Sequence, residues 1–302
     1  MPIARLWGHF GFVLLFVAMN VSFPAGARAD SPQPAIGLFT DYGWDDPYVA
    51  QMKGAILTIN PGARILDLTH SSTPFDVMEG AYLLDQCAVD FPPGTIFVAV
   101  VDPGVGTDRA PILVETAKEK FYVGPDNGIF SAVIDREGFT GAWKLDKYEF
   151  FRANSAEAIS HTFHGRDIFG PIAAHLAAGV DPDKMGTAVS EKDLTLLPSL
   201  EPTFLGGAIS VKVLHIDRYG NVVTNLSSDN EIASRLKEGD LVKIMVGRDS
   251  YSAPLVKTYA EVNKGRLLLL YGGSGLLEIG MNQDSAAKDL NVQPGSVIFL
   301  RP

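Results

Sequence analysis

Residues 95–104 read TIFVAVVDPG. An uncharged run rich in β-branched residues, Thr95–Val101, predicts a strand buried on both faces, and Asp102-Pro103-Gly104 ends it. Such a strand belongs to a parallel sheet covered by helices. The flanking sequence repeats the alternation. Ala35–Phe39 and Arg64–Leu68 read as strands, and Tyr48–Ile59 and Phe75–Ala88 as helices. Ile112–Thr116 and Phe121–Val123 are shorter strands, and Asn127–Ile134 and Arg166–Ala178 read as helical. The expected fold is an α/β domain with a mainly parallel sheet flanked by helices. Ligands on such sheets lie at the carboxyl ends of the strands, where Asp41 and Asp102 fall.

The texture changes near residue 190. Residues 195–203, with Pro198 and Pro202, read as a linker between an α/β domain over 30–194 and a second domain over 204–302. In the second part Ile209, Val211 and Val213 alternate with polar residues, and Leu241–Val246, Leu267–Tyr271 and Val297–Leu300 are further strands. Gly220-Asn221 and Gly272-Gly273 mark turns. A smaller all-β, barrel-like domain follows.

The formal net charge of −10 argues against a nucleic-acid partner, since no basic surface dominates. Residues 1–29 carry Arg5, the apolar stretch Phe10–Val21 and an Ala27-Arg28-Ala29 ending. That is the pattern of a cleaved secretory signal, so the chain is expected to be exported, to the periplasm, with no membrane segment afterwards. Cys87 is the only cysteine, so no internal disulfide forms, and its apolar setting makes it a packing residue. No zinc spacing, phosphate-binding loop or G-x-S-x-G motif is present.

Five polar segments carry the chemistry. Thr40-Asp41-Tyr42-Gly43-Trp44-Asp45-Asp46-Pro47-Tyr48 puts a carboxylate at a strand end, suited to a ribose diol, beside aromatics that can cover a base or cation. An Asx turn or a helix cap at Asp46 is the plain alternative. Val101–Arg109 contains two glycines and an Asp102–Arg109 pair able to meet across the loop, either as a site or as a surface salt bridge. Gly124-Pro125-Asp126-Asn127-Gly128 reads as a turn that caps a helix or offers amides to a ligand. His161-Thr162-Phe163-His164-Gly165-Arg166-Asp167 concentrates proton-transfer groups at a helix start. Asp217–Asn225 offers Asn221, a donor and an acceptor in one group, or simply a type I′ hairpin turn at Gly220-Asn221. Spacing alone defines a strand-end polar site of Asp41, Asp46, Asp102, Arg109 and His164, which would equally suit a metal-dependent phosphoesterase.

Together these segments closely resemble the S-adenosylmethionine hydroxide adenosyltransferases, adenosine-forming hydrolases related to fluorinases and chlorinases. The resemblance runs from about Ala35 to Pro302. It implies water attack on C5′ of S-adenosyl-L-methionine, giving adenosine and L-methionine, with no cofactor and no metal. It implies catalytic Asp102, Arg109 and His164, with His161 as a competing choice for the histidine. Asp41 would hold the ribose, Asn221 would read adenine between Tyr219 and Tyr259, and Phe163 would pack near the reacting carbon. Asp217, Ser274 and Glu278 would lie towards methionine, and Asp46 completes the implied binding set. A homotrimer is implied, with substrate between the N-terminal domain of one subunit and the C-terminal domain of the next. Gly165 stands where the halogenating relatives have serine, and Asp102-Pro103 where they have Tyr-Pro, which favours water over halide. The alternative from another class is a non-catalytic periplasmic binder of adenosine-like ligands, with a 5′-halogenase or a metal-dependent phosphoesterase below it.

Overall fold

The computed structural model describes residues 33–302 apart from 154 and 200, and the signal-peptide reading of residues 1–29 lies outside them. Among the described residues no helix is long and apolar enough to cross a membrane.

The N-terminal part runs β1 (Ala35–Thr40), α1 (Tyr48–Ile59), β2 (Arg64–Thr69), α2 (Val77–Ala88), β3 (Ile96–Val100), β4 (Pro111–Thr116), β5 (Phe121–Pro125), α3 (Ser131–Glu137), β6 (Phe139–Leu145), α4 (Gly170–Ala177), α5 (Pro182–Met185) and β7 (Gly186–Val189). The sheet order is β2-β1-β3-β5-β4-β6-β7. Strand β3 lies where the alternation of its side chains requires. Ile96, Val98 and Val100 enter one core with Met52 of α1 and Ile172 of α4, while Phe97 and Ala99 enter the opposite core with Leu84 of α2 and Val133 of α3. Both faces are therefore covered, as a run without polar alternation demands.

The sheet is mixed, which corrects the mainly parallel expectation. The β1–β2, β1–β3 and β3–β5 pairings are parallel, but β4–β5, β4–β6 and β6–β7 are antiparallel. The hairpin between β4 and β5 and the later strands β6 and β7 produce this. In β6 only Ala142 and Leu145 are buried, so it carries no strong apolar run to read.

Two helices start later than their apolar patterns. Phe75 has φ +67° and Asp76 accepts from the Glu79 N–H as N-cap, so α2 begins at Val77. Residues 127–130 form a turn in which the Asn127 side chain accepts from the Ile129 N–H, which delays α3 to Ser131.

The C-terminal part comprises β8 (Thr203–Leu205), β9 (Ala208–Ile216), β10 (Val222–Ser227), β11 (Leu241–Val246), β12 (Asp249–Pro254), β13 (Leu267–Tyr271), β14 (Leu276–Met281), α6 (Ala286–Leu290) and β15 (Val297–Arg301). Its order is β12-β11-β15-β9-β10-β14-β13, with β8 on β9. A bridge between Leu255 and Leu269 joins the two ends, so the sheet closes almost into a barrel around Val211, Ile244, Ile279 and Leu300. The connecting segment is tied to the first domain: Thr195 N–H donates to Asp126 and Leu197 N–H to Ser131. The domains also meet where Glu79 of α2 faces His215 of β9.

Candidate active site

The chain leaves β1 through α1 for β2 on one side, then returns through α2 to β3 on the other. This reversal opens a crevice between the carboxyl ends of β1 and β3, the position where doubly wound sheets take ligands. Asp41 and Asp102 follow those two strands, and the Asp41 N–H still donates to Val100 O. Burial raises the Asp41 pKa, and the Phe75 N–H on its Oδ2 at 3.0 Å offsets part of that rise. The Asp41 loop is braced from behind by buried His70. Its Nε2–H donates to Asp67, so Nδ1 accepts from the Thr40 hydroxyl at 2.8 Å. Asp46 is exposed and caps nothing, because α1 starts behind Pro47 without a side-chain cap.

Asp102 and Arg109 do meet across their loop, and they are not a surface salt bridge: their side chains are 5 and 9% exposed. Arg109 Nε sits 3.1 and 3.0 Å from the two carboxylate oxygens, and Nη2 closes on Oδ2 as well. The same Nη2 lies 2.8 Å from His164 Nδ1. A guanidinium only donates, so Nδ1 accepts and neutral His164 carries its proton on Nε2. Burial, then the Arg109 charge, hold His164 below the ordinary histidine value of 6.5. Arg109 Nη1 is buried with no partner among the described residues. A desolvated donor of this kind calls for an oxygen acceptor.

A pH prediction follows. Only neutral His164 can accept from Arg109, so an activity that needs this arrangement should be full above about pH 6.5. It should fall as pH drops through the lower pKa of the folded state. The stability contribution has the same sign, because the unfolded chain takes up the proton first. A pH–kcat profile checks this, and His164→Asn should remove the acid limb.

His164 reaches Arg109 because two loops touch. Gly106 has φ +78°, and a Cβ there would stand 2.4 Å from His161 O, so only glycine admits this approach. His161 itself is exposed, and its backbone rather than its ring makes the contact. Residues 166–178, expected as one helix, instead form a π-helical turn over Gly165–Phe169 followed by α4. Asp167 anchors that turn through Arg166 and the Ser160 N–H. Phe163 packs against Tyr42 and Tyr48 beside it. The Gly124–Gly128 segment is a brace: Asn127 donates to Val101 O at 2.9 Å and holds the backbone just before Asp102.

Gly165 is set by packing, since a Cβ would lie 2.5 Å from the Tyr42 hydroxyl and 3.4 Å from Met52 Sδ. Gly165→Ser should therefore cost about 1–3 kcal/mol of stability. Thermal unfolding checks it, and an unchanged Tm would refute the packing argument.

The remaining site residues gather on the barrel. Asp217, Tyr219, Asn221, Tyr259, Tyr271, Gly272 and Glu278 line one cavity of about 970 Å³. Gly220-Asn221 is not a two-residue I′ turn. Residues 217–221 form a longer loop with only Gly220 at positive φ, and Asp217 Oδ1 accepts from the Tyr219 and Asn221 N–H groups. Asn221 Nδ2 donates one N–H to Asp217 at 2.9 Å, leaving Oδ1 and its second N–H for recognition. Burial raises the Glu278 pKa, partly offset by the Tyr259 hydroxyl at 3.1 Å. Tyr271 offers a buried hydroxyl without a hydrogen-bond partner among the described residues. Ser274 follows Gly273 of the cavity lining and is exposed, its hydroxyl accepting from the Leu276 N–H at 3.4 Å.

The predicted residues thus form two groups. Asp41, Phe163, Asp102, Arg109 and His164 share the crevice of the first domain, with Asp46 exposed nearby. Asp217, Tyr219, Asn221, Tyr259 and Glu278 share the barrel cavity, and no contact among the described residues joins the groups. Sequence reading missed Phe75, whose N–H holds Asp41 and which is itself 71% exposed. The signal was a phenylalanine ahead of the Asp76 cap, a position that need not be apolar.

Fold and site define a two-domain protein with one polar crevice at a switch point and a second, aromatic-walled cavity on a barrel. The chain belongs to the SAM hydroxide adenosyltransferase family. Its N-terminal domain model matches residues 36–186 and its C-terminal domain model residues 211–299. An (R)-S-adenosyl-L-methionine hydrolase of Methanocaldococcus jannaschii is 34% identical over 264 residues, covering 85% of this chain and 92% of the relative. A fluorinase of an Actinoplanes species is 29% identical, covering 88% and 96%. A crystal structure of an uncharacterized conserved protein from Thermotoga maritima superposes with a TM-score of 0.82 at 35% identity, covering 88% of this chain and all of the other.

Proposed function

We propose that the chain hydrolyses S-adenosyl-L-methionine to adenosine and L-methionine, and, following the names of its relatives, that it takes the (R) epimer at sulfur. The observation that carries this is the guanidinium of Arg109, held by Asp102 and His164 with Nη1 left over beside the Asp41 crevice. Nη1 holds the attacking water. Its oxygen forms a bond to C5′ as the C5′–S bond breaks, and the electron pair goes to sulfur, giving neutral methionine. The leaving group needs no acid, so the barrier lies in the nucleophile. Bulk water has a pKa of about 15.7, and a cationic donor favours its hydroxide form. His164 takes the proton once its Nδ1 exchanges Arg109 for the water, while Asp102 keeps Arg109 in place. Asp102 also offsets the cation that would otherwise repel the sulfonium. Holding water in line with C5′ adds the advantage of proximity.

Asp41 receives the ribose diol, and Asn221 Oδ1 receives the adenine amino group between Tyr219 and Tyr259. Tyr219 is 79% exposed in the single chain, open on the side turned away from the cavity it shares with Tyr259. That supports a homotrimer whose crevice is completed by the barrel cavity of the next subunit. Water is favoured over halide because Gly165 leaves no room for the serine of the halogenating relatives. No cofactor takes part. The signal-like residues 1–29 extend the proposal to an exported enzyme acting in the periplasm.

The test is incubation of the purified protein with each sulfonium epimer in oxygen-18 water with chloride present. Adenosine labelled at its 5′ oxygen is expected. Intact substrate, unlabelled product or 5′-chloro-5′-deoxyadenosine would each overturn the proposal.

A further inference from the structure

The Asp41 carboxylate is aimed by a hydrogen-bonded path that begins on the barrel. Asp41 Oδ2 accepts the Phe75 N–H at 3.0 Å, which fixes one oxygen and leaves the rest of the carboxylate free. Phe75 pays a conformational penalty to present that N–H, because φ +67° is a left-handed conformation disfavoured for a bulky side chain. Such strain persists only where the surroundings over-determine it. Here the Thr73–Asp76 turn is pinned at both ends. Asp76 N–H donates to Thr73 O at 3.2 Å, Thr73 N–H donates to Glu79 Oε2 at 3.1 Å, and Glu79 N–H donates to Asp76 Oδ1 at 3.0 Å. Glu79 is only 4% exposed, and its other oxygen lies 2.6 Å from His215 Nδ1 on β9. Burial alone would raise the Glu79 pKa, but the bonds from His215 and then Thr73 hold it below the ordinary value. The carboxylate stays charged and grips both donors.

We propose that Glu79 is a positioning residue for Asp41, and that His215 sets how firmly it holds. The path runs from His215 through Glu79 and the Thr73–Asp76 turn to the Phe75 N–H and Asp41. It rests on the reading of Asp41 as the ribose ligand. Asp102, Arg109 and His164 lie on other loops, so weakening the path loosens substrate binding and spares the chemical step.

The experiment measures kcat and KM for adenosine release in the full-length protein carrying His215→Leu, His215→Asn, Glu79→Gln, Asp41→Ala or His215→Leu with Asp41→Ala. His215→Leu and Glu79→Gln should raise KM about five- to twentyfold, towards the low end of the roughly 10- to 150-fold that a lost hydrogen bond to a charged group costs because Asp41 is reached indirectly, with kcat within about twofold. Asparagine places a donor near the Nδ1 position, so His215→Asn should recover KM to within about twofold. The double variant should show no higher KM than Asp41→Ala alone, because residues on one path are not additive. A lower Tm with unchanged KM in His215→Leu, or additive effects in the double variant, would overturn the positioning role and leave Asp41 as ribose ligand. An unchanged KM in Asp41→Ala would overturn the ribose assignment and the path together.

Discussion

Arg109→Ala is expected to lower kcat for adenosine formation by at least about 10³-fold while substrate affinity stays within about threefold. Four contacts place the guanidinium: three to Asp102 and one to His164 Nδ1. In the proposed mechanism Nη1, buried without a partner among the described residues, is the donor that turns a bound water into a nucleophile. The substrate is itself a cation, so Arg109 contributes little to ground-state affinity and the loss falls on kcat. Removing it leaves Asp102 buried without its partner, which should also cost about 3–5 kcal/mol of stability. Adding Asp102→Asn relieves that charge and should restore much of the Tm without restoring turnover. Arg109→Lys keeps the charge but not the planar fork, and should also lose most turnover. Equilibrium binding beside single-turnover kinetics decides the matter. Binding lost together with turnover would mark a structural ion pair.

The second large effect concerns where the two groups of residues meet. Asn221→Ala removes the acceptor proposed for the adenine amino group and should raise KM by about 10²-fold, since an unpaired buried polar group is strongly penalised. If each site joins one subunit's crevice to the next subunit's barrel cavity, Arg109→Ala and Asn221→Ala damage different halves. Mixed trimers reassembled from equal amounts of the two variants should then regain about a quarter of wild-type sites. A site is whole when an Asn221→Ala subunit supplies the crevice and an Arg109→Ala subunit the barrel. Each homotrimer alone stays nearly inactive. No recovery on mixing would place both groups in one chain's site and overturn the trimer arrangement.

Much of this was legible along the chain. The apolar run Thr95–Val101 demanded a strand covered on both faces, and Ile96 and Phe97 indeed enter opposite cores. The limits of α1, β11 and β13 coincide with their apolar periods. Strands β6 and β7 were illegible, because a marginal strand takes its pairing from its neighbour rather than from its own pattern. The break of 166–178 into a π turn and a helix was equally hidden, since Asp167 and its partners impose it from outside the helical period.

By itself the sequence determined the strongly patterned elements, the strand-end location of Asp41 and Asp102, and, through its motifs, the family. Those depend on local periodicity and on residue types at fixed spacing. Only the tertiary structure decided that Arg109 bonds His164 rather than His161, since Gly106 must first bring the two loops together. It alone decided that Asp102–Arg109 is buried, that Asn221 commits one of its two N–H donors to Asp217, and that Phe75 holds Asp41. Each of these is a contact between segments distant in the chain or a commitment of one hydrogen-bonding group. Burial and partner choice are properties of the packed molecule that no local pattern encodes.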